Sequence, residues 1–212
     1  MLVDQLVAVS SGIIRHFLAP AQEMYSLAIT ELGANEDNIT SIKPSIQDEV
    51  IKKYSNNYLV GEFEKLKKDI DNNNTRQIQL EKLYRMIDSL GQLFHLQLTS
   101  SERRVFSVAI TDTPDDEMNE IIDMGEQLGY FHKSTIGNKT GTGRNRLIIL
   151  SRILAPHFKL DATSFAGYKF MDRAKLRMAM IDTKRFLAQF KFTEDDSSSA
   201  TQLLLFDGNN PI

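Results

Sequence analysis

The sequence predicts a mainly α protein with a small β-hairpin, arranged as a helical bundle followed by a domain that joins helices to the hairpin. Three observations predict it. Most of the chain repeats its apolar residues every three or four positions, the period of a helix with one buried face. One stretch departs from that period: Leu128 to Arg152, LGYFHKSTIGNKTGTGRNRLIILSR, holds two strand-like runs, Tyr130 to Ile136 and Asn145 to Leu150, around Gly137, Gly141 and Gly143. The segment Asp71-Asn72-Asn73-Asn74 has no apolar residue and abundant turn formers, which places a boundary there. The expected domains are thus 1–71, a helical bundle, and 75–190, the hairpin domain with a C-terminal helix, followed by a tail at 191–212.

Leu2, Leu6, Val9, Ile13 and Phe17 are spaced for one helix over 2–18, with Val3, Val7, Ile14 and Leu18 widening its buried face. Pro20 is expected to end it, and Ala21 to Leu32 to form a second helix stopped by Gly33. Ser45 to Ile70 sets Ile46, Val50, Tyr54, Leu59, Phe63, Leu66 and Ile70 on one side of a long helix. From Thr75, as N-cap, another runs to about Leu98 with Ile78, Leu83, Ile87, Leu90 and Phe94 inward. Ser101 to Ile110 stays open. Thr99 and Glu102 have capping-box spacing, which favours a helix, while Val105, Phe106, Val108 and Ile110 suit a strand beside the hairpin.

Thr113-Pro114-Asp115-Asp116 starts the next helix with a capping hydroxyl, proline at the first helical position and carboxylates in the first turn. Met118, Ile121, Ile122, Gly125 and Leu128 face inward, and Gly129 ends it. After the hairpin, Lys159 to Met171 reads as a turn-and-extended connection and Asp172 to Phe190 as one final helix. Thr193 to Thr201 is acidic and serine-rich, a composition that predicts disorder, and it precedes an isolated apolar pentad at 202–206.

Composition excludes several classes. There is no cysteine, which removes disulfides and thiolate chemistry, and the expected location is cytoplasmic. No basic leader precedes the N-terminal apolar stretch, and no run is long enough to span a membrane. His16, His95, His132 and His157 lack metal-ligand spacing, so no metal site is expected. The paired acids suit helix caps and solvated tails better than acid–base catalysis, and no Ser-His-Asp or Gly-x-Ser-x-Gly pattern occurs.

The chain is acidic overall, at formal net charge −3, yet no Asp or Glu falls between Glu126 and Asp161, where Lys133, Lys139, Arg144, Arg146, Arg152 and Lys159 lie. Helix, second element, helix, strand, glycine-rich loop, strand is the order of a winged helix. Lys139, Arg144, Arg146 and Lys133 offer cations to phosphates, and Thr140, Thr142 and Asn138 offer hydrogen bonds, so the wing is the expected DNA contact. The helix from 114 to 128 carries six carboxylates and no Lys or Arg, and would repel a duplex. The same fold used only for protein contacts is the other reading.

A helical hairpin containing Ser10-Ser11-Gly12-Ile13-Ile14-Arg15-His16-Phe17, a long helix and a winged helix, together with FSVAITD at 106–112 and LAPHFKLDATSFAGYKF at 154–170, resembles the C-terminal part of bacterial origin-recognition-complex-like AAA+ ATPases. The likeness covers about residues 5–190. It implies a lid-like bundle in which Arg15, at a Gly-x-x-Arg helix start, senses nucleotide held by another module; a solvated helix arginine is the alternative. GNKTGTGR at 137–144 lacks the Gly-Lys pair of a P-loop, so this chain alone is not expected to hydrolyse ATP. ATP and Mg²⁺ are implied only with an adjoining ATPase module, which either has been removed ahead of Met1 or is a separate subunit. Finally, Gln202-Leu203-Leu204-Leu205-Phe206 is similar to the Gln-Leu-x-Leu-Phe peptide that docks on the bacterial sliding clamp, through Gln202, Leu203, Leu205 and Phe206; a segment folding back as an edge strand or core staple is the alternative.

Overall fold

The computed structural model describes residues 2–32, 39–70, 74–101, 104–137, 143–163 and 167–191. It is mostly helical, with a small four-stranded sheet.

The first helix is two. Helix α1 (Leu2–Ser10) stops at Ser11 and Gly12, both left-handed at φ 52° and 79°, and α2 (Ile14–Leu32) then carries Pro20 inside it. The expectation that Pro20 ends a helix is therefore corrected. Two consecutive left-handed residues reverse the chain outright, whereas proline withholds only one N–H from an established helix and is itself buried here. Splitting the helix also narrows its buried face: Leu6 and Val9 are buried, while Val7, Ile14 and Leu18 are exposed. Gly33 lies outside the described residues.

Helix α3 (Pro44–Asn56) continues through a π turn, Asn57–Gly61, into α4 (Glu62–Asp69). The expected helix over 45–70 thus holds, with one five-residue step in which Glu62 N–H reaches back to Asn57 O. Residues 71–73 of the expected boundary lie outside the described set, and packing crosses it: Val9, Tyr58, Leu59 and Phe63 share one core with the rest of the chain. A smaller cluster of Leu6, Met24, Ala28, Ile46, Val50 and Ile51 holds α1, α2 and α3 together.

Helix α5 (Asn74–Ser101) is the axis of the molecule. It starts one residue before Thr75, which is therefore not its N-cap, and runs past Thr99, whose hydroxyl bonds back to His95 O and Leu96 O rather than opening a new helix. Leu80, Met86 and Leu93 join the expected inward residues, while Ile78 is exposed. Gly91 lets α5 approach the face of Phe158, since a Cβ there would stand 2.5 Å from three ring atoms.

Of the two possibilities left open for 101–110, the strand is found. Strand β1 (Val105–Ile110) is buried along its whole length, as suits apolar residues pointing to both faces. It is followed by α6 (Asp116–Gln127), whose N-cap is Asp115 and not Thr113, because the Asp115 carboxylate accepts from Met118 N at 3.0 Å. The hairpin is β2 (Phe131–Gly137) and β3 (Arg144–Leu150), within a residue of expectation. A 3-10 turn at Arg152–Leu154 leads on, and the connection ends in a strand that the sequence did not announce, β4 (Gly167–Met171), parallel to β1. The sheet order is β2-β3-β1-β4. The final helix is also two, α7 (Arg173–Ile181) and α8 (Thr183–Lys191), because Asp182 is extended and caps the second through Arg185 N.

Elements α5, β1, α6, β2 and β3 make a winged-helix-like unit. Only one helix stands between β1 and β2 among the described residues, so the paired helices of a helix-turn-helix are not formed there.

Candidate nucleic-acid interface

Helix α6 and the hairpin meet at a sharp corner. Gly129 is left-handed at φ 81°, Tyr130 N donates to Gly125 O at 2.8 Å and Gly129 N to Glu126 O at 3.0 Å, the paired bonds of a Schellman end. The sequence signal was Gly129, and it holds. Strand β2 then leaves with Lys133 opposite Ile148, Thr135 opposite Arg146 and Gly137 opposite Arg144, so Arg144 stands at the mouth of the wing loop.

The expected contact residues separate into three groups. Lys139, Thr140 and Thr142 lie outside the described residues. Arg144 is exposed. Lys133 and Arg146 turn inward toward α6: the Lys133 ammonium pairs with Glu126 at 2.5 Å and Asp123 at 2.9 Å, and the Arg146 guanidinium donates to Asn119 Oδ1 at 2.6 Å. Hydrogen bonds, first to Glu126 and then to Asp123, hold Lys133 above the ordinary lysine value.

The acidity of α6 is answered on every side. Glu117 pairs with Lys82 of α5 and with Arg177 of α7, Glu120 accepts from Gln79, and Asp115 pairs with Arg177. The bond from Met118 N, ahead of the Arg177 charge, holds the Asp115 carboxyl below its usual range. The carboxylates that would repel a duplex are thus largely engaged by the protein's own cations.

Sheet register places one more basic residue near the wing. Ile110 pairs with Arg146 on one side and Met171 on the other, so the start of α7 lies at the same end of the sheet as the loop. There Arg173 is exposed, and its N–H donates to Asp112 Oδ2 at 3.2 Å. The signal in the sequence is Arg173, Lys175 and Arg177 at alternate positions, interspersed with apolar residues and so not a basic run.

Arg15 sits in the first turn of α2, which has no acidic residue in that turn. Its guanidinium lies 6.0 Å from the centroid of the Tyr58 ring. Beside it His16 is buried, with Nδ1 3.4 Å from Tyr54 Oη and its ring edge-on to Tyr58 at 4.7 Å. Burial, then the nearby Arg15 and His132, lowers His16 to about 4. Among the described residues no three His, Asp or Glu side chains are grouped to hold a metal, and no helix is long and apolar enough to cross a membrane. The pentad 202–206 lies outside the described residues.

A family model described as ORC-CDC6-like matches residues 3–170. Comparison with curated proteins and with solved structures returned no match.

Proposed function

Because the chain belongs to the ORC-CDC6-like family, we propose that it is the lid and C-terminal part of an initiator-like AAA+ ATPase, acting as its DNA-binding and regulatory module. The wing grips the DNA backbone through Lys139, Arg144 and the hydroxyls of Thr140 and Thr142, joined by Arg146 once its guanidinium leaves Asn119. Arg15, at the start of α2, meets the nucleotide of an adjoining ATPase module. The chain by itself does not hydrolyse ATP.

The observation that carries this reading is the contrast between Arg144 and α6. Arg144 is exposed at the mouth of a loop whose sequence holds a lysine, two threonines and no acid, while the α6 carboxylates are drawn onto Lys82, Lys133 and Arg177. A cationic edge is left where phosphates can reach it. The test is duplex binding across salt concentrations with Lys139, Arg144 and Arg146 changed together to alanine. Binding is expected to weaken and its log–log salt slope to flatten by about 0.9 for each phosphate that is no longer neutralised. An unchanged slope removes the wing from the DNA interface.

Exposed Val7, Ile14 and Leu18 favour a second reading, a non-enzymatic adaptor that uses its surfaces for protein contacts alone. That reading predicts no salt-dependent DNA binding. Under either reading, Gln202, Leu203, Leu205 and Phe206 are proposed to dock on a sliding clamp. Changing Leu205 and Phe206 to alanine should abolish recovery on immobilised clamp, and equal recovery ends the idea.

A further inference from the structure

Tyr58 stands at the only π step among the described residues, and it faces two ways. Toward the hairpin, its hydroxyl donates to the carbonyl of Leu128, the C-cap of α6, at 2.9 Å. Tyr130, the next residue but one, returns the bond: its hydroxyl donates to Tyr58 O at 3.0 Å, with the two ring centroids 5.1 Å apart. Each tyrosine thus satisfies a main-chain carbonyl of the other's segment. Gly129 lies between the two contacts, and a Cβ there would come within 2.7 Å of the Tyr58 hydroxyl. The clasp closes on the corner from which β2 leaves α6.

The same Tyr58 ring also has the Arg15 guanidinium at 6.0 Å and the His16 ring edge-on at 4.7 Å. Arg15 is exposed, whereas Tyr58 and Tyr130 are buried. An exposed cation is therefore joined to a buried hinge through one aromatic ring. The cation is held by that ring contact and by a hydrogen bond to the Tyr58 hydroxyl, both of which a bound anion can outbid.

We infer that Tyr58 is a relay between Arg15 and the hairpin: drawing the guanidinium off the Tyr58 ring loosens the Tyr58–Leu128 and Tyr130–Tyr58 bonds and frees the α6–β2 corner. A group bound at Arg15 would thereby change the direction of the wing without touching it. That last consequence rests on the function proposed above, while the coupling between Arg15 and the corner does not.

The experiment is amide hydrogen exchange on the full chain with Arg15→Ala, Tyr58→Phe and the double variant. Tyr58→Phe keeps the ring and deletes the hydroxyl, so it removes the Leu128 bond together with the hydroxyl's own contact with Arg15. Exchange at Gly129, Tyr130 and Phe131 is expected to quicken about fivefold in Tyr58→Phe, the worth of one ordinary hydrogen bond. Arg15→Ala is expected to move the same three amides in the same direction, and the double variant to fall short of the product of the two, as coupled residues do. Amides of α5 from Leu83 to Leu93 should not change. Arg15→Ala leaving the corner untouched, effects that simply multiply, or quickening that spreads through α5 would each overturn the relay. DNA binding measured on the same variants keeps the two proposals apart, because a failure to bind DNA would leave the exchange result standing.

Discussion

Lowering the pH from 7 to 5 is expected to destabilise the fold chiefly through His16. The ring is 1% exposed, packed edge-on against Tyr58 and near Arg15, Tyr54 and His132. Its folded pKa is about 4 against an ordinary value of 6.5. The unfolded chain therefore takes up a proton on this side chain at a higher pH than the folded one does. Stability from His16 is complete above about pH 6.5 and is lost as the pH falls toward 4. The full gap corresponds to about 3 kcal/mol, of which about 2 kcal/mol is lost between pH 7 and 5. His157, also lowered by burial, adds loss of the same sign. Asp112 and Asp115, whose carboxyls are held below the ordinary value, lose their contribution only at lower pH. Urea unfolding of the parent chain and of His16→Gln at both pH values isolates the effect, since any fixed cost of the substitution cancels in the difference. With a denaturant slope of about 2 kcal/mol per molar, the parent midpoint should fall by roughly 1 M more than that of the variant. Equal falls would show that His16 is not held neutral by its surroundings.

Gly91→Ala should lower the urea midpoint by the equivalent of about 1–3 kcal/mol, because the new methyl meets the face of Phe158; an unchanged midpoint would show that the ring moves aside freely. Asp115→Ala removes the α6 cap and a partner of Arg177, and should lower the thermal midpoint by an amount equivalent to about 1 kcal/mol. A stable Asp115→Ala chain would mean that Pro114 and the first turn suffice. Arg144→Ala is expected to reduce the salt slope of DNA binding by about 0.9 while leaving thermal stability alone. Lys133→Ala should do the reverse, because its ammonium already belongs to Asp123 and Glu126.

Periodicity carried the reading of α3 to α6, and the glycine-flanked runs carried the hairpin, because each is a local pattern of residue type. What failed was long-range. Pro20 reads as a helix stop, whereas the decisive residues are Ser11 and Gly12, whose left-handed backbone is visible only once folded. Strand β4 was missed because its pairing partner, β1, lies far back in the chain: Ser107 and Gly167 are 60 residues apart. At the candidate site, charge counting found the basic hairpin and the acidic helix correctly but set them in opposition. Their pairing, Lys133 with Asp123 and Glu126, depends on how β2 folds back from Gly129 onto α6, and counting charges along a sequence does not encode that return.

Strand β1 also sets an order of events during synthesis. All six of its residues are buried; Ser107–Ile110 pair with β3 on one side, and the strand pairs with Gly167–Met171 on the other. Until the ribosome has delivered residue 171, a strand apolar at all but Ser107 stands with one edge open, the state most prone to pair with a neighbouring chain. A chain cut between Leu150 and Gly167 would keep α1 to α6 and the hairpin and yet be expected to aggregate, whereas one cut after Lys191 closes the sheet. The smallest piece of this protein that can be handled alone is thereby fixed by its least conspicuous strand.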